Sequence, residues 1–304
     1  MGKNISTSIK QLVILLLALC ALYGLVDHFS LFPISDLSTS QDVSSEHKKL
    51  LALVEGAKKC FETQLFDRDE LYSVIAPAVT DCARRVDLAL PIFGNKNRDE
   101  IKYYLEPAGS SPPKDCNALT LGIGNDIAAE KKFLQKFPGC KLYGVDPILE
   151  AGSIFRTIGT YDQIAVAAKA GVFTTGIWHK GDTYTRENIT HVPFLDYLKK
   201  YNLTGMIDYL SMDVEGAEFE LLPLFLADGV LARNGAVFCQ INVETHGPLS
   251  RFNVSSLNYD TLMIRLIFES DYFPAKAVYN KPHNRFFLFN YRDRRCAERY
   301  LISH

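Results

Sequence analysis

The sequence contains no Cys-x-x-Cys pair, so a structural zinc site finds no support and no residue is assigned to a metal. No run of lysine or arginine exceeds two or three residues and the net charge is −2 at pH 7, which removes nucleic acid from the partners to consider. A complete Gly-x-Gly-x-x-Gly is missing as well, and with it the full dinucleotide fingerprint. Tryptophan occurs once, at Trp178, where core packing suits it better than a place beside a ligand. What remains is an ordinary packed composition, 47% apolar and 22% charged over 304 residues, enough for one large domain with appendages.

The first thirty residues are less ordinary. Lys3 and Lys10 precede an apolar stretch from Leu12 to Val26 that has no amphipathic face. At ~1.5 Å per residue it makes a helix of roughly 22 Å, and carried through Phe32 it reaches about 32 Å, the thickness of a hydrocarbon core. No small-residue cleavage site is convincing. The expected order is a cytosolic tail over 1–10, an uncleaved signal anchor over 11–32 and a Ser-rich stem over 33–46. Asn188-Ile-Thr190, Asn202-Leu-Thr204 and Asn253-Val-Ser255 are glycosylation acceptor triplets. Together these predict a single-pass type II membrane protein of the Golgi or endoplasmic reticulum with its bulk in the lumen; a secreted protein with a cleaved signal is the alternative. Beyond the anchor, Cys60, Cys82, Cys116, Cys140, Cys239 and Cys296 permit up to three disulfides in an oxidising compartment. Cys239, in an apolar run, also reads as a small core residue.

From 47 to 113 the three- and four-residue spacing of Leu50, Leu51, Val54, Ala57 and Phe61, repeated by Tyr72, Ile75, Val79 and Cys82, predicts a helical cap. Over 114–304 strand and helix patterns alternate. Strands are expected at 118–123, 141–145, 164–168, 207–214 and 236–243, and helices at 127–137 and 217–226. A helix over 258–268 and strands over 272–279 and 285–291 close the chain, and the short connection between those strands requires an antiparallel pair. The fold class is α/β: a mostly parallel, Rossmann-like sheet with a C-terminal antiparallel hairpin and helices on both faces.

Three elements could carry chemistry. Gly122, Gly124, Asn125 and Asp126 form a turn between a strand and a helix, where glycines let a ligand approach the backbone. Asp146 ends the next strand, at a spacing suited to hydrogen bonds with ribose hydroxyls, although a turn-starting surface Asp is the plainer reading. Asp213 ends a later strand, followed by Val-Glu215-Gly-Ala-Glu218, and Glu218 suits the start of the next helix. Glu244 and His246, two apart on one strand, point the same way.

The segment IDYLSMDVEGAE, from Ile207 to Glu218, resembles the signature of the FkbM methyltransferase family, and the layout from about Cys116 to Tyr291 is similar to that family and its lumenal animal members. The resemblance implies a class I methyltransferase fold and S-adenosylmethionine as donor, with O-methylation of a small-molecule or glycan hydroxyl in the secretory pathway. Thr120 and Leu121 precede Gly122 where the family commonly has an acid, so Asp126 or Asp213 would have to meet the methionine amino group. Proton removal from the acceptor falls to Asp213, Glu215, Glu244 or His246. A type II Golgi glycosyltransferase, with Asp213-Val-Glu215 as a metal motif, and a non-catalytic binding protein on the same fold are the rival readings.

Overall fold

The computed structural model describes residues 44–304 apart from 67–69, 95–100, 110–111, 180–182, 248–254, 281–282 and 303–304. The expected tail, the anchor and nearly all of the stem lie outside the described residues. Among the described residues no helix is long and apolar enough to cross a membrane.

The chain enters through helix α1 (Ser45–Leu65), which begins inside the expected stem because the Ser44 hydroxyl accepts the amide hydrogen bond of His47 and caps it. Helix α2 (Leu71–Cys82) follows, tied to α1 by the disulfide Cys60–Cys82. The cap is not wholly helical: strands β1 (Ile92–Gly94) and β2 (Ile101–Tyr103) form an antiparallel pair. Nor is it a separate domain, because residues 44–304 form one compact unit with one core running through it.

Strand β3 (Cys116–Leu121), helix α3 (Ala128–Lys136), strand β4 (Cys140–Val145), the short helix α4 (Leu149–Gly152) and strand β5 (Thr160–Asp162) build one half of the main sheet. Strands β6 (Ala165–Ala167), β7 (Gly171–His179) and β8 (Thr183–Pro193) form a second, three-stranded sheet. Helix α5 (Phe194–Lys200), strands β9 (Met206–Ile207) and β10 (Tyr209–Met212), and helices α6 (Glu218–Leu221) and α7 (Val230–Arg233) come next. Strands β11 (Val237–Phe238) and β12 (Gln240–His246), helix α8 (Ser256–Phe268), strands β13 (Tyr272–Asn280) and β14 (His283–Asn290), and helix α9 (Arg294–Tyr300) complete the chain.

The seven-stranded sheet runs β13-β14-β12-β10-β3-β4-β5. Its members from β12 to β5 are parallel, and β14 pairs antiparallel with both β12 and β13. Strands β10 and β12 are buried along their whole length, as expected of central strands covered on both faces. Successive residues of β3 serve opposite layers: Leu119 joins Phe61, Ile75 and Phe287 on one side, Ala118 joins Phe133, Leu142 and Phe155 on the other. Wholly buried phenylalanines such as Phe61, Phe273 and Phe287 contribute roughly 1.5–3 kcal/mol each.

Two expectations change. The third strand of the main sheet is Thr160–Asp162, whereas the apolar run at 164–168 became β6 and pairs with β8 instead. The helix expected over 217–226 is a single turn, α6, continued by a 3-10 turn over Leu222–Phe225 that contains Pro223. Proline there lacks the amide hydrogen that a longer α-helix would use. Cys239 is buried, but it is bonded to Cys296 rather than free, and Cys116–Cys140 joins β3 to β4.

Candidate active site

The parallel strands end on the same side of the sheet, and the expected residues gather there. After β3 the chain turns through Gly122 and Gly124, with φ of +82° and +63°, and Asn125, with φ of +63°. A Cβ on Gly122 would lie 1.8 Å from the Asp213 carbonyl oxygen, so the turn after β3 rests directly on the turn after β10. Before Gly124 there is open space: a Cβ there meets nothing within 4 Å. Gly122→Ala should therefore cost about 3 kcal/mol or more, from overlap added to the left-handed penalty, while Gly124→Ala should cost only about 1–2. Urea unfolding of the two variants checks this, and equal losses would count against the contact.

Asp146, at the end of β4, is 6% exposed and fixes that turn. Its Oδ2 accepts hydrogen bonds from the Ile123 and Gly124 amides at 3.0 and 3.2 Å, and Oδ1 accepts from the Ile148 amide at 2.9 Å. Burial pushes its carboxyl above the ordinary value, and these amide bonds pull it back. A ribose contact would share this carboxylate with the turn. Asp126 accepts from the Ala128 amide at 2.9 Å, where α3 begins. Under the turn, Thr120 donates to Glu130, which is ion-paired with Lys102 of β2 at 2.9 Å.

The second group is centred on His246, 1% exposed at the end of β12. Glu218, fully buried at the start of α6, accepts from the His246 backbone amide and from its ring Nδ1, both at 2.8 Å, through Oε1. Its other oxygen accepts from the Gly216 amide at 2.8 Å. With Nδ1 so engaged, Nε2 faces three more carboxylates: Glu215 Oε2 at 3.3 Å, Asp213 Oδ1 at 3.9 Å and Glu244 Oε1 at 4.0 Å. Burial of the ring works against its charge, but hydrogen bonds with Glu215 and Glu218 and the charges of Glu218 and Asp213 push its pKa up to about 11. At neutral pH the ring is thus an imidazolium and a proton donor. Glu244 in turn is held by Arg285 Nε and lies 3.5 Å from His283 Nδ1.

All four residues considered for proton removal are therefore together, and the pair Glu244 and His246 does face one way. Three members have roles that the sequence does not show. Glu218 was read as a helix-dipole residue, yet it orients the imidazole. His283 and Arg285 drew no notice because only the strand register, with His246 opposite His283 and Glu244 opposite Arg285, brings them in. Trp178 belongs to β7 of the smaller sheet.

A cleft of about 760 Å³ opens beside Glu215 and Gly216. Its walls include Thr174, Arg186 and His191 from the β7–β8 pair, Glu220, and Asn258 and Arg265 of α8. The glycine turn does not line it.

A large mixed sheet flanked by helices, with a glycine turn and carboxylates at its strand ends, is consistent with the fold of a methyltransferase. Residues 83–281 match the Methyltransferase FkbM domain, and the chain belongs to that family. It is accordingly a methyltransferase by class, whose reaction needs a methyl donor, and the glycosyltransferase alternative falls away. No curated protein matches the sequence.

Proposed function

We propose that this protein is an S-adenosylmethionine-dependent O-methyltransferase built on the Rossmann-like class I arrangement, acting on a hydroxyl of a secretory-pathway acceptor. The observation that carries the reading is the convergence of Gly122–Asp126, Asp146 and Asp213 at neighbouring strand ends, with open space before Gly124. Those residues fit the donor: Asp146 suits the ribose, and Asp126 or Asp213 the methionine amino group. When bound, S-adenosylmethionine supplies an electrophilic methyl on sulfur. The protein's part is to hold the acceptor oxygen in line with it, for which positioning is worth roughly 7–11 kcal/mol.

The acceptor is assigned to the 760 Å³ cleft, whose mix of Arg186, Glu220, Asn258 and Arg265 suits a polyhydroxylated molecule such as a glycan. Glu215 reaches into that cleft and is the proton acceptor of this reading, with Asp213 beside it. His246, protonated, holds Glu215 in place, and Glu244 lies behind it. Three disulfides and the exposed Asn188 and Asn202 support a lumenal, glycosylated protein carried on an N-terminal signal anchor.

Calorimetry with S-adenosylmethionine on the purified full-length protein tests the donor. Asp146→Ala should weaken binding at least tenfold, about 1.4 kcal/mol, with Asp146→Asn between it and the wild type. Unchanged affinity in Asp146→Ala would remove the ribose assignment, and no binding to the wild type would favour a non-catalytic member.

A further inference from the structure

The cleft beside Glu215 holds a buried imidazole to which the methyl-transfer reading gives no role. His191, on the middle strand β8 of the three-stranded sheet, is 4% exposed and lines that cleft. Its register partners are Ala165 of β6 and Gly171 of β7, so neither neighbour crowds the ring. A Cβ on Gly171 would stand 2.7 Å from the Phe173 ring, which lies across it. That same ring, also on the cleft wall, meets the imidazole edge to face with 5.2 Å between centroids.

The hydrogen bonding of this imidazole is one-sided. Nδ1 lies 2.9 Å from the Ile189 carbonyl, which can only accept, so Nδ1 carries a proton. Nε2 has no hydrogen-bond partner among the described residues and is not enclosed by protein. It is the atom through which a ring so buried still meets the cleft. Leucine or phenylalanine would fill a core position at no polar cost. An imidazole pinned through one nitrogen and bare at the other is instead arranged to hydrogen-bond a guest.

That guest atom is not the hydroxyl beside Glu215. Glu215 Oε2 lies 3.4 Å from the Cβ position of Gly176, which pairs with Arg186, five residues along β8 from His191. At ~3.3 Å per residue those two stations are about 17 Å apart, too far for one hydroxyl to meet both. We propose that His191 is a distal recognition residue of the cleft. Its Nε2 accepts a hydrogen bond from a hydroxyl on a sugar beyond the one methylated, and Phe173 offers that sugar's C–H surface an apolar face. The acceptor is then an oligosaccharide rather than a single ring or another small molecule. This assignment rests on the cleft being the acceptor site of the methyl-transfer reading, and His191 takes no part in the bond changes.

The test overlays an array of glycans, from single sugars to long oligosaccharides, with fluorescently labelled full-length protein. Some oligosaccharide should bind about tenfold or more tighter than any single sugar. His191→Asn should weaken that binding by about tenfold or more, because its shorter amide keeps the Ile189 bond but has no atom at Nε2. A second measurement needs no variant. In protein labelled with ¹⁵N-histidine, the tightest oligosaccharide should shift the His191 Nε2 resonance more than that of Nδ1. Equal binding of single sugars, equal binding by His191→Asn, an unmoved Nε2 resonance, or no glycan bound at all overturns the assignment. Calorimetry with S-adenosylmethionine on the same sample keeps the two readings apart. Donor binding without glycan binding defeats the role of His191 and leaves methyl transfer standing, whereas His191-dependent glycan binding without donor binding defeats methyl transfer alone.

Discussion

Glu218→Ala is expected to lower the folding free energy by about 3–5 kcal/mol, the usual cost of removing one partner from a buried ion pair. The side chain has no exposed surface, and its two oxygens satisfy the His246 ring, the His246 amide and the Gly216 amide. Its loss strands two buried donors of His246 and frees the Gly216 amide at the edge of the cleft. Glu218→Gln keeps the volume and one acceptor but removes the charge and turns an amide NH₂ toward a donor. That variant should fold, with the ring losing its proton at a lower pH than in the wild type, because one of the charges that raise its pKa is gone while Glu215 and Asp213 remain. Equilibrium unfolding in urea measures the first effect, and proton NMR measures the second. A loss below about 1 kcal/mol, or an unaltered titration, would show that Glu218 does not hold the imidazole.

The second large effect is expected far from the chemistry. Asp208, fully buried between β9 and β10, accepts from the Asn117 amide at 2.9 Å and from Arg299 and the Tyr300 hydroxyl at 2.6 Å each. Through these bonds it docks α9 against the sheet. Asp208→Ala should cost about 3–5 kcal/mol, and Asp208→Asn less, because an amide oxygen still accepts. Unlike the Glu218 variants, the folded fraction should keep its wild-type affinity for S-adenosylmethionine. Calorimetry on the Asn variant, set beside urea unfolding, would reveal a changed affinity if Asp208 also shaped the site.

The sheet was legible wherever its strands are apolar runs closed by glycine or acid. Leu119 to Gly124, Leu142 to Asp146 and Tyr209 to Asp213 announce themselves because buried parallel strands tolerate little else. The β7–β8 pair did not, since its exposed faces carry Thr174, Thr185, Arg186 and Asn188, and polar residues on a solvated hairpin look like loop. Three-residue β5 lost to the more apolar run beside it for the same reason. In the site, Asp213, Glu215, Glu244 and His246 were found from spacing along two strands. His283 and Arg285 could be found only across strands, since their relation to His246 and Glu244 is a register and not a motif. Cys239 was ambiguous because burial is common to a core thiol and to a half-cystine.

The two sheet disulfides divide the molecule into a base and a rim. Cys116 and Cys140 are register partners at the first residues of β3 and β4, and Cys239 immediately precedes β12. The glycine turn, Asp146 and His246 stand at the other ends of those strands, about 17–23 Å away at ~3.3 Å per residue. Those two covalent links therefore sit at the ends of the strands opposite the candidate site. A reductant would reach the chemistry only by loosening the base first, so loss of function in a reducing medium should track unfolding and not precede it.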